Sequence, residues 1–183
     1  MAVARNFYEE DMNILRPRVD RRNDSNGVTG MQFPSYEWIV ALAYKGFGFH
    51  EAIPRVINWL IFVTGVVAFH HLIRLLTASE WLAAVGAWVY SWSPELFYHS
   101  INALPDVLAL SASLWGLYFF LRWYQQARAS YFVLALLATT LGGLTKLQYL
   151  VIGVPIGVLI LHDWVQGRFD WRRRLLPLAL FAG

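Results

Sequence analysis

The chain contains no cysteine, which excludes disulfides and thiolate-held metal sites. Charge is scarce as well. Only 15% of its 183 residues are Asp, Glu, Lys or Arg, against about a quarter in ordinary soluble domains. The net charge is +3, and the basic residues gather in particular loops rather than along one face, so nucleic acid is not an expected partner. No internal repeat or low-complexity tract is present. The opening Met1–Glu10 has no apolar stretch of the kind a secretory leader needs.

What is there in excess is apolar surface. Hydrophobic residues make up 57% of the chain and aromatics 16%, nine of them Trp, a composition suited to helices whose ends rest at a membrane interface. The chain divides near Pro54. Residues 1–55 hold seven Lys or Arg and seven Asp or Glu, with turn signals at Asp24-Ser25-Asn26-Gly27 and Gly30. Beyond Arg55 charges are sparse and separate five apolar runs: Val56 to Ile73, Trp81 to Ser93, Val107 to Leu121, Ala129 to Thr145 and Leu147 to Leu161. The first has 18 residues without a charge, close to the roughly 20 that span a bilayer. The runs are apolar all round, unlike the one-sided helices of soluble domains. Interfacial aromatics and snorkelling Arg can extend the shorter ones.

These features predict an all-α fold, a polytopic transmembrane helix bundle over 56–183 with five spans and the start of a sixth at Leu175. Residues 1–55 form an extracytoplasmic loop. Within it, Trp38, Ile39, Leu42, Ala43 and Phe47 are spaced for a short amphipathic helix, lying in the interface or packed on the bundle. Ala109 with Ser113, and Ala112 with Gly116, set small residues four apart, as close helix contacts require. Orientation follows from arginine. Arg74, Arg122, Arg128, Arg168, Arg172, Arg173 and Arg174 follow odd-numbered runs, against Lys45, Arg55 and Lys146 at the other ends. The positive-inside rule therefore places the arginine side in the cytoplasm. That leaves a charged outer loop with no helix ahead of it and an apolar run cut short at Gly183. The chain is expected to continue at both ends.

Three groups of residues carry a resemblance. The first is Ala4-Arg5-Asn6-Phe7-Tyr8-Glu9-Glu10, Leu15-Arg16-Pro17-Arg18-Val19-Asp20, Phe33-Pro34-Ser35-Tyr36 and Ala43-Tyr44-Lys45-Gly46-Phe47-Gly48. The second is Ser93-Pro94, Phe97-Tyr98 and Ala103-Leu104-Pro105-Asp106, and the third is Leu144-Thr145-Lys146. In order and spacing they resemble the three outer loops of the GT-C glycosyltransferases, in the branch of the dolichyl-phosphate-mannose protein mannosyltransferases and aminoarabinose transferases. The resemblance implies a hexosyl or pentosyl transferase in the plasma (inner) membrane. It would move a sugar from a polyprenyl-phosphate donor to a lipid, glycan or protein acceptor at the extracytoplasmic face, often with a divalent metal ion. The family's first-loop acid would fall just upstream of Ala4-Arg5-Asn6-Phe7-Tyr8, where this chain has only Met1–Val3, and the acid often found before Phe-Pro is Gln32 here. The chain alone is therefore expected not to catalyse transfer.

Site candidates follow. Asp106, after Pro105, sits on the first turn of a helix, either as a carboxylate favoured by the helix dipole or, as the resemblance implies, as the catalytic acid or a metal ligand. His99 and Glu95, four apart, share a helix face and can either solvate the loop or join Asp106 at a metal. Lys146 reads as a snorkelling lysine or as a point charge for lipid-linked phosphate. Arg5 can bind phosphate, though solvated loop charge also explains it, and Gln32 belongs with substrate binding by its place in the resemblance. His70 and His71 are adjacent and do not face one another, so they read as interfacial polar residues. The alternative function is a non-catalytic membrane protein, a transporter or lipid-handling subunit. Bare run centres argue against a transport path.

Overall fold

A computed structural model describes residues 1–22, 24–30 and 32–167. Among these residues the fold is helical, with no strand beyond an isolated antiparallel bridge between Arg18 and Val28. The helices are α1 (Ala2–Glu9), α2 (Ser35–Phe47), α3 (Ala52–Thr77), α4 (Glu80–Ser91), α5 (Pro94–Ile101), α6 (Asp106–Gln126), α7 (Ala129–Thr145) and α8 (Gly153–Val165). A 3₁₀ turn, Leu147–Ile152, leads into α8.

All five apolar runs fold as helix, but length divides them. Ala52–Thr77 and the continuous Leu147–Val165 are long and apolar enough to cross a bilayer. A third span results if α5 and α6, bent by 117° at their junction, form one broken crossing. α7 has 17 residues and α4 only 12. At 1.5 Å per residue α4 is about 18 Å long, well short of a hydrocarbon core of about 30 Å. Pro94 stops it, because it opens α5 instead. The five expected spans are thus met in placement, and the shorter runs stay shorter than a bilayer as helices. The sixth run at Leu175, and the four arginines from Arg168 to Arg174, lie outside the described residues.

Close packing sets the directions. Tyr90 of α4 stacks on Phe62 and Phe69 of α3, and Glu80 pairs with Arg74 at 2.6 Å, so these two helices are antiparallel. The link between them is short because Ala78 turns in the left-handed region and Ser79 caps α4 by accepting from Leu82 N–H. Ser111 Oγ of α6 donates to the Ile61 carbonyl, and His71 packs on Tyr118 further along, so α3 and α6 run parallel. α6 and α7 form an antiparallel pair built on small residues. A Cβ on Gly142 would lie 2.7 Å from Ser113 Oγ and 3.1 Å from the Ala109 carbonyl oxygen, and one on Gly116 only 2.5 Å from Thr139 Oγ1. The stripe read from Ala109, Ser113 and Gly116 is a helix contact.

One end of the bundle therefore gathers the start of α3, the start of α6 and the end of α7. The other gathers Arg74, Arg122 and Arg128. α2 lies across the first end. Its Tyr36, Val40 and Tyr44 are buried with Ala4 and Leu108, while Leu42 and Phe47 stay exposed. The helix forms where its apolar spacing predicts, packed on the protein by one face with apolar residues left over on another.

Candidate functional site

Asp106 and Lys146 meet at this end. Pro105 precedes α6, so Asp106 stands on its first turn. Lys146 ends α7 in extended backbone just before the 3₁₀ turn. Because α6 and α7 are antiparallel and tightly packed, the start of one faces the end of the other. Lys146 Nζ donates to Asp106 Oδ1 at 2.5 Å, and the two side chains are 20% and 21% exposed. The sequence offered a helix-end charge or a catalytic acid or metal ligand, and no partner for it. The structure instead makes Asp106 half of a mostly buried ion pair, in which removing either partner leaves the other uncompensated.

Asp106 also lines a cavity of about 120 Å³ with Glu95, His99, Gln148 and Tyr149. Glu95 and His99 do share a face of α5. They do not complete a metal centre: among the described residues no three His, Asp or Glu side chains are grouped to hold an ion. Lys146 already supplies the cation at Asp106. A divalent ion there would have to displace the ammonium and find ligands beyond these three side chains. His99 Nδ1 is buried without a hydrogen-bond partner.

A second cavity, about 210 Å³, opens one residue away on both helices. It is lined by Gln32, Phe33, Pro34, Glu37, Pro105 and Thr145. Thr145 Oγ1 and Ser35 Oγ share a buried hydrogen bond of 2.8 Å that fixes the start of α2 against the end of α7. Gln32 is thereby brought beside the Asp106–Lys146 end. Glu37 comes with it, and sequence reasoning passed it over. Its signal was available, since it is the acid in the first turn of the predicted amphipathic helix.

Arg5 is placed elsewhere. It pairs with Asp20 at 2.8 Å and with Glu9 at 3.8 Å, and it lines neither cavity. Arg18 binds Glu10 at 2.9 Å and Arg22 closes on the same carboxylate. Hydrogen bonds from Arg22 and Arg18 hold the Glu10 carboxyl below its usual range, and bonds from Asn6 and then Arg5 do the same for Asp20. The charges of the first loop thus serve largely to fold it. Gly27, at φ 74°, closes that loop where a Cβ would sit 2.9 Å from the Val19 carbonyl oxygen.

Asn58 anchors the site from below. It is fully buried in α3, and its Nδ2 donates to the carbonyls of His99 at 2.6 Å and Asn102 at 2.5 Å. It holds the C-terminal end of α5, and so the position of His99. A lone amide within an 18-residue uncharged run was its signal.

Residues 32–182 match the family described as dolichyl-phosphate-mannose-protein mannosyltransferase. The chain belongs to that family. No curated protein and no solved structure matches it. Together with its apolar helices, membership makes the chain an integral membrane protein of a glycosyltransferase family. Such a family takes its sugar from a polyprenyl-phosphate carrier. The match contains Gln32, Glu37, His99, Asp106 and Lys146 and leaves out Arg5.

Proposed function

We propose that the chain is the glycosyl-transferring part of an enzyme that moves a sugar from a polyprenyl-phosphate donor to an acceptor at the extracytoplasmic face of the plasma membrane. The observation that carries this reading is the Asp106–Lys146 pair at the end of the bundle opposite Arg74, Arg122 and Arg128. A sugar phosphodiester carries one negative charge, and the polyprenyl phosphate that leaves carries more. Lys146 therefore gains most when charge accumulates on the departing phosphate, the condition for lowering a barrier rather than merely binding. In the resting site Asp106 holds that ammonium in place. When phosphate arrives, Lys146 exchanges partners and Asp106 is released toward the sugar or acceptor. His99 and Glu95 border the same space, and no step is assigned to a metal.

The test is transfer of labelled sugar from a polyprenyl-phosphate donor by the gene's complete product in liposomes. Lys146→Met should lower transfer by about 10²–10³-fold and weaken protection by polyprenyl phosphate. Unchanged transfer with unchanged donor affinity would overturn the role of Lys146.

A further inference from the structure

We propose that the flank of α3 facing away from the Asp106–Lys146 pair holds one phosphatidylethanolamine molecule. Its phosphate meets Arg55, its ammonium meets Glu51 and the rings of Tyr44 and Phe49, and its acyl chains lie along α3. The site does not depend on the transferase reading.

Two cavities with common walls make up the site. One, about 340 Å³, lies between α2 and the start of α3 and is lined by Tyr44, Phe49, Glu51 and Arg55. The other, about 480 Å³, continues along α3 past Val56 and Trp59 and is closed by Ile101 at the end of α5. Arg55 and Asn102 border both. Asn58 gives the space its shape, because its bonds to the His99 and Asn102 carbonyls hold the end of α5 against α3.

Glu51 and Arg55 stand one turn apart, and both are exposed. Among the described residues neither forms an ion pair or a side-chain hydrogen bond, whereas Arg5, Arg18, Arg22 and Arg74 each hold a carboxylate. Opposite charges left open side by side match a ligand that carries both. A guanidinium binds phosphate bidentately. An ammonium is drawn to a carboxylate and to aromatic faces, and the Tyr44 and Phe49 rings lie 4.9 Å apart in the same cavity as Glu51. The Glu51 charge reaches Tyr44, adding to the burial that raises its phenol pKa.

Toward the middle of α3 the surface turns apolar. Val56, Trp59, Leu60, Val63 and Val67 are all exposed, and their spacing puts them on one face of the helix. From Val56 to Val67 that face is about 16 Å long at 1.5 Å per residue, close to half of a hydrocarbon core of about 30 Å. Trp59 stands near its charged end, where indole favours the headgroup boundary. A cation and an anion above one leaflet's depth of apolar helix fit a diacyl phospholipid. A polyprenyl phosphate has no ammonium for Glu51, and neither has phosphatidylglycerol.

The complete gene product, delipidated in detergent, is mixed with phosphatidylethanolamine or phosphatidylglycerol of the same acyl chains and followed by native mass spectrometry and thermal shift. Phosphatidylethanolamine should give one adduct per chain, at about tenfold lower concentration than phosphatidylglycerol, the difference one charged hydrogen bond makes. Glu51→Gln should abolish that preference, and Arg55→Met should weaken both lipids about tenfold. Both side chains are exposed, so the melting temperatures without lipid should match wild type. Polyprenyl phosphate should not displace the adduct, and soluble phosphoethanolamine should give no shift at the concentrations where the lipid does. Equal binding of the two phospholipids by wild type, or an undiminished adduct in both variants, overturns the headgroup site. Displacement by polyprenyl phosphate, or protection by soluble phosphoethanolamine equal to that by the lipid, overturns its assignment to a phospholipid.

Discussion

Asn58 shows how much one polar side chain settles in an apolar helix. Its amide donates to the His99 and Asn102 carbonyls at the end of α5, and the Asn102 carbonyl also accepts from Leu104 N–H. Asn58→Leu keeps the branched shape and removes the donor from the His99 carbonyl, at about 1–3 kcal/mol. Thermal unfolding in detergent should show that loss, with proteolysis between Ser93 and Asp106 accelerated; an unchanged melting curve would mean the bonds do not hold α5. The residue scale is also where sequence reading was least complete. Asp106, Lys146, His99 and Gln32 were legible because they stand at run ends or in the resemblance. The pairing of Asp106 with Lys146 was not, because it depends on the antiparallel register of two helices. Arg5 was misleading for a related reason: its partner Asp20 is 15 residues away, across a loop whose course no periodicity reveals.

At the level of elements, the helices were largely written in the charge pattern. α7 begins and ends where its uncharged run does, at Ala129 and Thr145. α2 follows its apolar spacing. What charge could not give was the short reach of α4 or the sharp bend between α5 and α6, since both follow from prolines that open new helices. The α6–α7 contact does carry a prediction. Gly142→Val adds a branched side chain where a single Cβ already meets the Ala109 carbonyl at 3.1 Å. Overpacking of this kind costs about 1–3 kcal/mol. Because the contact also aligns Asp106 with Lys146, transfer should fall along with stability. Gly30→Val, at a position with nothing within 4 Å, should change neither. Equal melting temperatures for wild type and Gly142→Val would show that the helices are not packed this closely.

For the whole molecule, the polarity of the bundle decides whether the proposed site lies outside the cytoplasm. Arg74, Arg122 and Arg128 share one end, and Asp106, Lys146, Gln32 and Glu37 share the other with Lys45 and Arg55; the positive-inside expectation rests on all seven arginines that follow the odd-numbered runs. Reporter fusions after Arg128 should read as cytoplasmic, and fusions near Asn102 and Gln148 as extracytoplasmic; the reverse pattern would remove the outer-face site. The central claim, that the Asp106–Lys146 end performs sugar transfer rather than merely clasping two helices, is tested most directly by exchanging the two charges. Asp106→Lys with Lys146→Asp rebuilds the ion pair in reverse. It opposes the two helix dipoles at about 0.3–1 kcal/mol each, so most of the stability lost in Asp106→Lys alone should return. Transfer from a polyprenyl-phosphate donor, measured on the same preparation, should remain at least about 10²-fold below wild type, because the phosphate now meets a carboxylate where Lys146 stood. Recovery of transfer in step with the melting temperature would show that the pair is only a clasp.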